Sequence, residues 1–587
     1  METKVETKKK AKAGVALLVS LCVLVVCFGI IWGINTSFGK VKVDRVFIPV
    51  QDGEIISGLL YVPEEASMEN KLPAALVLHG GNDNAQTFAS YCIELSRRGF
   101  ICLAIDENAS AYSDYDEDLD NYEVSLELAL WLKTLDFVNP DKVIATGHSM
   151  GGIYAPYACT YADLAGAIPV NSNRISHELV GNYAFIYGIG DTANLWSDKN
   201  ADFLTNAFGS PEMPEAGKLF GSIEENNARI FIWEDGNTVH TAATWNSSVI
   251  EHVCHWALAF TYTTSELADT DQVYKITYWA SIVGMFAITA FAINLMLWLM
   301  QMPAFSSIKR PLGPYMGYTG KDWAISAAIT MLPSVPLFIL IYKYIGNKLS
   351  KLYISWLPVG TFNKFIPFLI AMSIWDTLTF ILLFHRKKKA EGIGTAWNYG
   401  FTWGDNKKQN IINIAKCLGL ATIVSVVVFS VLNLMDRELG VGFKFYFAGL
   451  RAPTFERVIP TSLPYILLMF LVYVGAQFGS NIVRRLPSTG HDCRDLVRDV
   501  IVNSLVAGLL LTLYFVVQVI LANNEIYITV TNHHFYGYAV MIWLSQMVNT
   551  VMYRKTGSIW PGLMLMSVLF GVLLNANYPV TSIFPVR

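Results

Sequence analysis

Charge is what this chain has least of. Asp, Glu, Lys and Arg together make up 15% of its 587 residues, whereas soluble domains usually carry about 25%. Hydrophobic residues reach 53% and aromatics 13%. That balance excludes a disordered chain, a collagen-like chain and an ordinary cytosolic enzyme. It points to a membrane protein with a soluble part, and the length allows about three to five units. The net charge of −4 leaves no basic excess to neutralise phosphates, which argues against a nucleic-acid partner. The eight Cys form no CxxC pair, so neither a zinc framework nor a small disulfide scaffold is indicated. Cys22 and Cys27 fall in an apolar run and read as buried apolar residues. Cys92, Cys102, Cys159 and Cys254 sit in apolar helix or strand settings and read as free thiols. Internal repeats and low-complexity tracts are also missing.

What is present is a set of long apolar runs. Residues 1–13 hold five Lys and two Glu. The uncharged run Gly14–Asn35 follows, long enough at ~1.5 Å per residue to cross a hydrocarbon core of about 30 Å. It exceeds the roughly 7–15 apolar residues of a signal peptide and lacks an A-x-A-like site, so it reads as an uncleaved anchor. Eight more runs follow the soluble part: Ile276–Met300, Trp323–Ile345, Phe365–Phe384, Ile411–Leu434, Ser462–Val483, Val500–Leu521, Tyr536–Met552 and Ile559–Leu574. The Tyr536–Met552 run is the weakest, being short and carrying Gln546 and Asn549. The expected organisation is a basic tail (1–13), an anchor (14–35), a soluble domain (40–262) and an all-α polytopic bundle (274–587).

Lys and Arg should collect on the cytoplasmic side. They gather in alternate loops: Lys309, Arg310 and Lys321; Arg386 to Lys389; Arg484, Arg485, Arg494 and Arg498; Arg554 and Lys555. Lys348, Lys351 and Lys364 are a mild exception. Nine spans with a cytoplasmic N-terminus follow, the soluble domain and the C-terminus lying outside. Compact loops without an organelle signal suit a bacterial plasma membrane. In the fourth span, Asp376 has long apolar stretches on both sides, so it is expected to face the bundle rather than lipid. Lys416, Gln477, Asn503, Gln546 and Asn549 are its candidate partners.

Between Val41 and Ala259 the runs shorten and alternate. VDRVFIPV and ISGLLYVP read as a strand hairpin. AALVLHG, FICLAID, KVIATGHS, AGAIPVN, YAFIYGIGD and ARIFIWED read as further strands. Ala85–Arg98, Tyr122–Leu135 and Gly151–Tyr161 have helical spacing. This pattern predicts a mostly parallel sheet with helices on both faces. Within it lies Gly147-His148-Ser149-Met150-Gly151, a G-x-S-x-G between a strand and a helix. In that setting the motif forms a nucleophile elbow, a turn so tight that only small residues fit beside the Ser.

These residues, with the LHGG after Ala75–Leu78, Ser96-Arg-Arg-Gly-Phe100, the lead-in Val138–Val143 and the GHSMGG of residues 147–152, resemble the α/β-hydrolase superfamily. In texture they are similar to its dienelactone-hydrolase and acyl-esterase branches. The resemblance covers the soluble domain only. It implies a serine hydrolase with chain order Ser, acid, His and no cofactor or metal. Ser149 is then the nucleophile. The acid, after the next-to-last strand, is Asp191, with Asp198 and Asp235 as rivals. The base, after the last strand, is His240. His148 is read as pointing elsewhere, and His252 and His255 as packed or solvated. The oxyanion donors are the N–H of Met150, next after the nucleophile, and that of Gly81, which the family pattern suggests.

The stretch Leu195–Ala228, with Trp196, Phe203, Phe208 and Phe220, reads either as a lid or acyl-chain wall or as a helical insertion capping the sheet. Asp114, Asp116, Asp118 and Asp120 alternate as calcium ligands do, but without the Gly and Glu of a calcium loop, so they read as a solvated acidic loop. The turn Tyr553–Gly562 resembles that of CAAX-processing-type intramembrane proteases. Gln477 and Asn481 stand where that family needs acids, and the last two helices lack His, which implies a bundle without that activity. The expected function is hydrolysis of an acyl ester or amide at the membrane surface, the substrate being a lipid, an acylated envelope component or an amphipathic small molecule. Membrane lipids are the other expected partner. A transporter or sensor with a ligand-binding domain, or an acyltransferase using the same three residues, are the alternatives.

Overall fold

The computed structural model describes residues 2–114, 116, 118–175, 177–191, 198–234, 239–352, 354–444, 459–524 and 535–576. Trp196 and Asp235 lie outside them, as does the last stretch after Ala576.

The short apolar runs of the soluble part pair into one eight-stranded sheet. Its strands are β1 (Val41–Pro49), β2 (Ile55–Pro63), β3 (Leu72–Leu78), β4 (Ile101–Ile105), β5 (Val138–His148), β6 (Gly166–Val170), β7 (Tyr183–Gly188) and β8 (Arg229–Glu234). The order is β1-β2-β4-β3-β5-β6-β7-β8. β1 and β2 form an antiparallel hairpin, β2 pairs antiparallel with β4, and every later pair is parallel. The inner strands are buried on both faces, which explains why their sequences run apolar without alternation. Helices α2 (Ala89–Ser96) and α6 (Ser247–Phe260) pack on one face, and α3 (Asn121–Lys133) and α4 (Gly151–Tyr161) on the other.

The anchor helix α1 runs Glu2–Asn35, so the basic tail continues the helix rather than forming a separate arm. It lies along α7 (Lys275–Leu299), where Asn294 Nδ2 donates to Ala16 O at 3.2 Å. Phe28 stacks on Phe443 with ring centroids 4.4 Å apart. Among the described residues, seven helices are long and apolar enough to cross a membrane: Lys12–Asn35, Lys275–Leu299, Gly320–Leu349, Gly360–Ala390, Lys407–Leu439, Pro460–Val483 and Asp492–Leu521. The other two expected spans differ for physical reasons. Phe535–Thr556 has the length but gives polar side chains to an interior network: Asn481 Nδ2 donates to Asn549 Oδ1 at 2.6 Å and to Gln477 Oε1 at 2.8 Å, and Asn549 Nδ2 to Gln546 Oε1 at 3.3 Å. Trp560–Ala576 is apolar but shorter, and its residues from Pro561 onward are buried by the surrounding helices. An all-round apolar helix is stable where neighbours cover every face.

The cationic loops converge at one end of the bundle. Arg310 N donates to Thr556 O at 2.9 Å, Tyr318 N to Val483 O at 2.9 Å, and Arg485 Nη1 to Gly313 O at 3.0 Å. The domain built on the eight-stranded sheet sits at the other end, between the end of α1 and the start of α7.

Candidate active site

β5 delivers the chain to His148, and α4 leaves from Gly151, so two residues make the whole turn. Ser149 is held at φ +57°, a left-handed conformation that costs a non-glycine residue energy and is retained where the surroundings over-determine it. Those surroundings are close. A Cβ on Gly147 would lie 2.3 Å from Gly151 O, and one on Gly151 would lie 2.2 Å from Leu78 O. Neither position admits a larger residue. Ser149 N donates to Val170 O and Gly151 N to His79 O, both at 3.0 Å. Ser149 itself stays half-buried at the head of α4, where the helix dipole favours developing negative charge.

Asp191 follows β7, and His240 opens the 3-10 turn His240–Thr244 beyond β8. The parallel register of β7 and β8 brings both beside Ser149. His240 Nε2 lies 2.9 Å from Ser149 Oγ, and His240 Nδ1 lies 2.8 Å from Asp191 Oδ1. Since Asp191 is acceptor-only when ionised, Nδ1 carries the proton and Nε2 accepts from the Ser hydroxyl. Asp191 is 3% exposed and His240 7%, so the line is shielded from bulk water.

His148 does not point elsewhere. Its Nε2 lies 2.6 Å from the backbone O of His240. A carbonyl only accepts, so Nε2 is the donor. Asn171 Nδ2 donates to the same oxygen at 3.1 Å, and Gly188 N donates to Asn171 Oδ1 at 2.7 Å. Two side chains therefore fix the main chain of His240. The positive φ of Ser149 turns the chain so that the preceding ring faces back across the site. Adjacency to the nucleophile was the only sequence signal for His148, and none existed for Asn171.

The loop after β3 passes over Ser149. A Cβ on Gly80 would lie 3.2 Å from Ser149 Cβ. The N–H groups of Gly81 and Met150 enter no backbone hydrogen bond among the described residues. His79 buttresses the loop: its Nδ1 donates to Gly80 O at 2.7 Å, and its Nε2 accepts from Glu107 N at 2.9 Å. Burial, with Asp83 adding to it, pushes the Glu107 carboxyl well above the usual range.

The same loop is tied to the membrane bundle. Thr361 Oγ1 donates to Asn82 Oδ1. Lys444 Nζ donates to Gln86 O at 2.6 Å, and Gln86 Nε2 to Asp436 Oδ1 at 2.7 Å. Arg45 joins Asp106 at 2.7 Å and Asp436 at 3.2 Å. Burial works against the Arg45 charge, but Asp436 and Asp106 outweigh it and raise the pKa. Val519, from the Asp492–Asn523 helix, packs against Val239 and Ala242 beside His240.

The other singled-out residues take structural places. Phe203 and Phe208, on α5 (Asp198–Phe208), pack on Phe185, with centroids 5.6 and 6.1 Å away, and Phe220 packs on Phe208. These rings pack on the sheet, and Trp196, the fourth aromatic of that stretch, lies outside the described residues. Asp114, Asp116 and Asp120 accept the N–H of Ile55, Asp118 and Tyr122, so their alternation serves turns and a helix cap. Among the described residues no group of three or more His, Cys, Asp or Glu is arranged to hold a metal ion. The eight Cys are all free thiols. His252 pairs with Glu234 at 2.7 Å and His255 with Asp269 at 2.9 Å.

No protein-family model matches the chain, and no curated protein matches it. Solved structures similar to it are esterases and hydrolases. An esterase from Pyrobaculum calidifontis is 13% identical over 42% of this chain and 92% of its own, with a TM-score of 0.29. An S-formylglutathione hydrolase from Staphylococcus aureus is 16% identical over 37% and 99%, with a TM-score of 0.28. Est1E from Butyrivibrio proteoclasticus, with ferulic acid bound, is 15% identical over 37% and 100%, with a TM-score of 0.28. At these scores the functional reading rests on the strand order and the site.

Proposed function

We propose that this chain is a membrane-embedded serine hydrolase that cleaves an acyl ester or amide through Ser149, His240 and Asp191. The observation that carries the reading is the unbroken line from Ser149 Oγ through His240 to Asp191, built on an elbow that admits only glycine on either side. Ser149 Oγ attacks the acyl carbonyl while His240 Nε2 takes its proton. His240 returns that proton to the leaving alcohol or amine. Asp191 keeps the imidazole in the Nδ1–H tautomer and stabilises the cation. The N–H groups of Met150 and Gly81 hold the oxyanion, each such donor lowering the barrier by about 2.7–4 kcal/mol. Water, activated by His240, then releases the acyl group.

The site's neighbours support a substrate met at the membrane. Asn82, next to the oxyanion loop, and the turn at His240 both rest on bundle residues, Thr361 and Val519. A lipid, an acylated envelope component or an amphipathic small molecule meets the site there at the membrane–water boundary. The alternating cationic loops support a cytoplasmic N-terminus and a domain on the outer side. An acyltransferase remains the second reading, because an acceptor alcohol can replace water at the same acyl-enzyme. A fluorophosphonate probe on isolated membranes should label Ser149 and leave Ser149→Ala unlabelled. Labelling of the variant to the same extent overturns the reading. Product analysis with and without an acceptor alcohol separates hydrolase from transferase.

A further inference from the structure

A second site lies in the bundle, toward the end away from Ser149. A cavity of about 330 Å³ opens between the helices Gly320–Leu349, Gly360–Ala390 and Pro460–Val483. Two wide turns border it, Phe380–His385 and Phe478–Val483, each with the looser hydrogen-bonding of a π-helix. Such turns concentrate at functional sites. Their rings Phe380 and Phe478 stack face to face at 4.5 Å. Arg484 follows the second turn, is 5% exposed and lines the cavity. A Cβ on Gly479 would lie 2.4 Å from Arg484 Nη2, so the guanidinium folds back over its own helix only because residue 479 has no side chain.

The partners of this cation are incomplete. Arg484 Nη1 donates to Thr330 Oγ1 at 2.7 Å, and Thr330 Oγ1 donates to Asp376 Oδ1 at 2.9 Å. Arg484 thus reaches a carboxylate only through a hydroxyl. Its Nε is buried without a partner among the described residues. A buried guanidinium with unfilled donors is costly unless an acceptor completes it. The missing partner of a donor is an acceptor, and among the described residues no hydrogen bond joins Arg484 directly to Asp376. Lys387 adds a second cation on the cavity wall, and its ammonium lies 5.8 Å over the Tyr318 ring. Asp322 and Asp376 also line the wall. Ile325, Ile329 and Leu383 make the rest of the wall apolar.

We propose that this cavity binds an oxyanion, a phosphate or carboxylate, with Arg484 as the forked donor and Lys387 as the second cation. The pairing of charged and apolar walls suits the head group of an amphiphile with its chain along the bundle. The proposal is independent of the reaction at Ser149.

The test uses the purified full chain. Native mass spectrometry after exposure to phosphatidylglycerol, and separately to phosphatidylcholine, reads retained lipid. Thermal shift with inorganic phosphate reads a free anion. Phosphatidylglycerol should be retained at least about tenfold better than phosphatidylcholine, the scale of one charge-assisted contact. Lys387→Gln, on the exposed rim, should lose several-fold of that preference, and Arg484→Gln and Gly479→Ala more. Stabilisation by phosphate that Lys387→Gln weakens supports a free anion as the source, whereas lipid retention without it supports a head group. Equal retention of both lipids together with no phosphate shift overturns the proposal. So does an undiminished preference in a folded Lys387→Gln and a folded Gly479→Ala. If Arg484→Gln fails to fold, the wild-type preference and Lys387→Gln decide.

Discussion

The ring of His148 donates from Nε2 to the backbone oxygen of His240 at 2.6 Å, so the residue before the nucleophile holds the main chain of the proposed base. With Asn171 on the same oxygen, His240 is fixed at its backbone as well as through its ring. Removing the His148 donor leaves that carbonyl with one partner and frees the turn. His148→Leu should lower kcat on a short-chain p-nitrophenyl ester by about tenfold or more, the size of one buried hydrogen bond, and leave KM nearly unchanged. His148→Gln, which keeps an N–H donor, should recover part of the loss. Equal losses in both variants would mean that ring packing, not the donor, matters.

Ser149, His240 and Asp191 should act as a unit. Ser149→Ala and His240→Ala are each expected to remove nearly all turnover, and the double variant to lose little more. Asp191→Asn reverses the tautomer that Asp191 imposes and should cost about 10⁴ in kcat. Steady-state kinetics on the four variants checks this. Near-full activity in Asp191→Asn, with loss in Asp198→Asn or Asp235→Asn, would move the acid elsewhere.

Glu107 gives a pH dependence of stability. Burial, reinforced by Asp83, raises its folded pKa above its unfolded value. The folded chain therefore keeps a proton that the unfolded chain has lost, and stability falls as pH rises from the ordinary carboxylate range toward the raised value. Below that range both states are protonated and nothing is lost. Glu107→Gln cannot ionise and should melt higher than wild type at pH 8, with a smaller difference at pH 4.5. A gap in Tm that is the same at both pH values would contradict this origin.

The legible parts of the chain were those set by local pattern. The strands show as short β-branched runs, and the elbow shows as small residues where a strand meets a helix. Asp191 and His240 stand out by chain order after the last two strands, and the structure brings them to Ser149. The contacts of His148, Asn171 and Thr361 were not legible, because they depend on backbone direction and on pairings as distant as the 279 residues between Asn82 and Thr361. The aromatics after Asp191 carry two readings, since the same composition serves a lid or a cap, and Phe203 and Phe208 pack on Phe185 of the sheet. Thr330 was missed as the partner of Asp376 because a hydroxyl in an apolar helix carries no pairing signal.

The orientation across the membrane is open to direct test. Lys218 is exposed on the hydrolase-like domain, with its side chain 59% accessible. A protease-cleavable tag inserted beside it should be cut by protease added to intact cells, or to spheroplasts where an outer envelope intervenes. A tag in the cationic loop near Lys388 should be cut only after permeabilisation. The opposite pattern would invert the topology.

The last prediction concerns the bundle's hold on the loop beside Ser149. Thr361 lies in the short helical turn Gly360–Asn363 of the membrane part, and its hydroxyl donates to Asn82 Oδ1. Asn82 sits at φ +71° directly after Gly81, so the contact braces the loop whose N–H is proposed to meet the oxyanion. An oxyanion donor acts only if it is held where the charge develops. Thr361→Val keeps the shape and deletes the donor. It should lower kcat by about three- to tenfold, in keeping with a hydrogen bond of about 1 kcal/mol, with little change in fluorophosphonate binding or in Tm. Thr361→Ser, which restores the hydroxyl, should restore most of the rate. Thr422→Val is the control, because Thr422 Oγ1 bonds only to Leu418 O within its own exposed helix face. If Thr361→Val turns over like wild type, the bundle carries the domain without positioning its chemistry. If Thr361→Val and Thr422→Val fall together, the loss reflects the stability of the bundle rather than the loop.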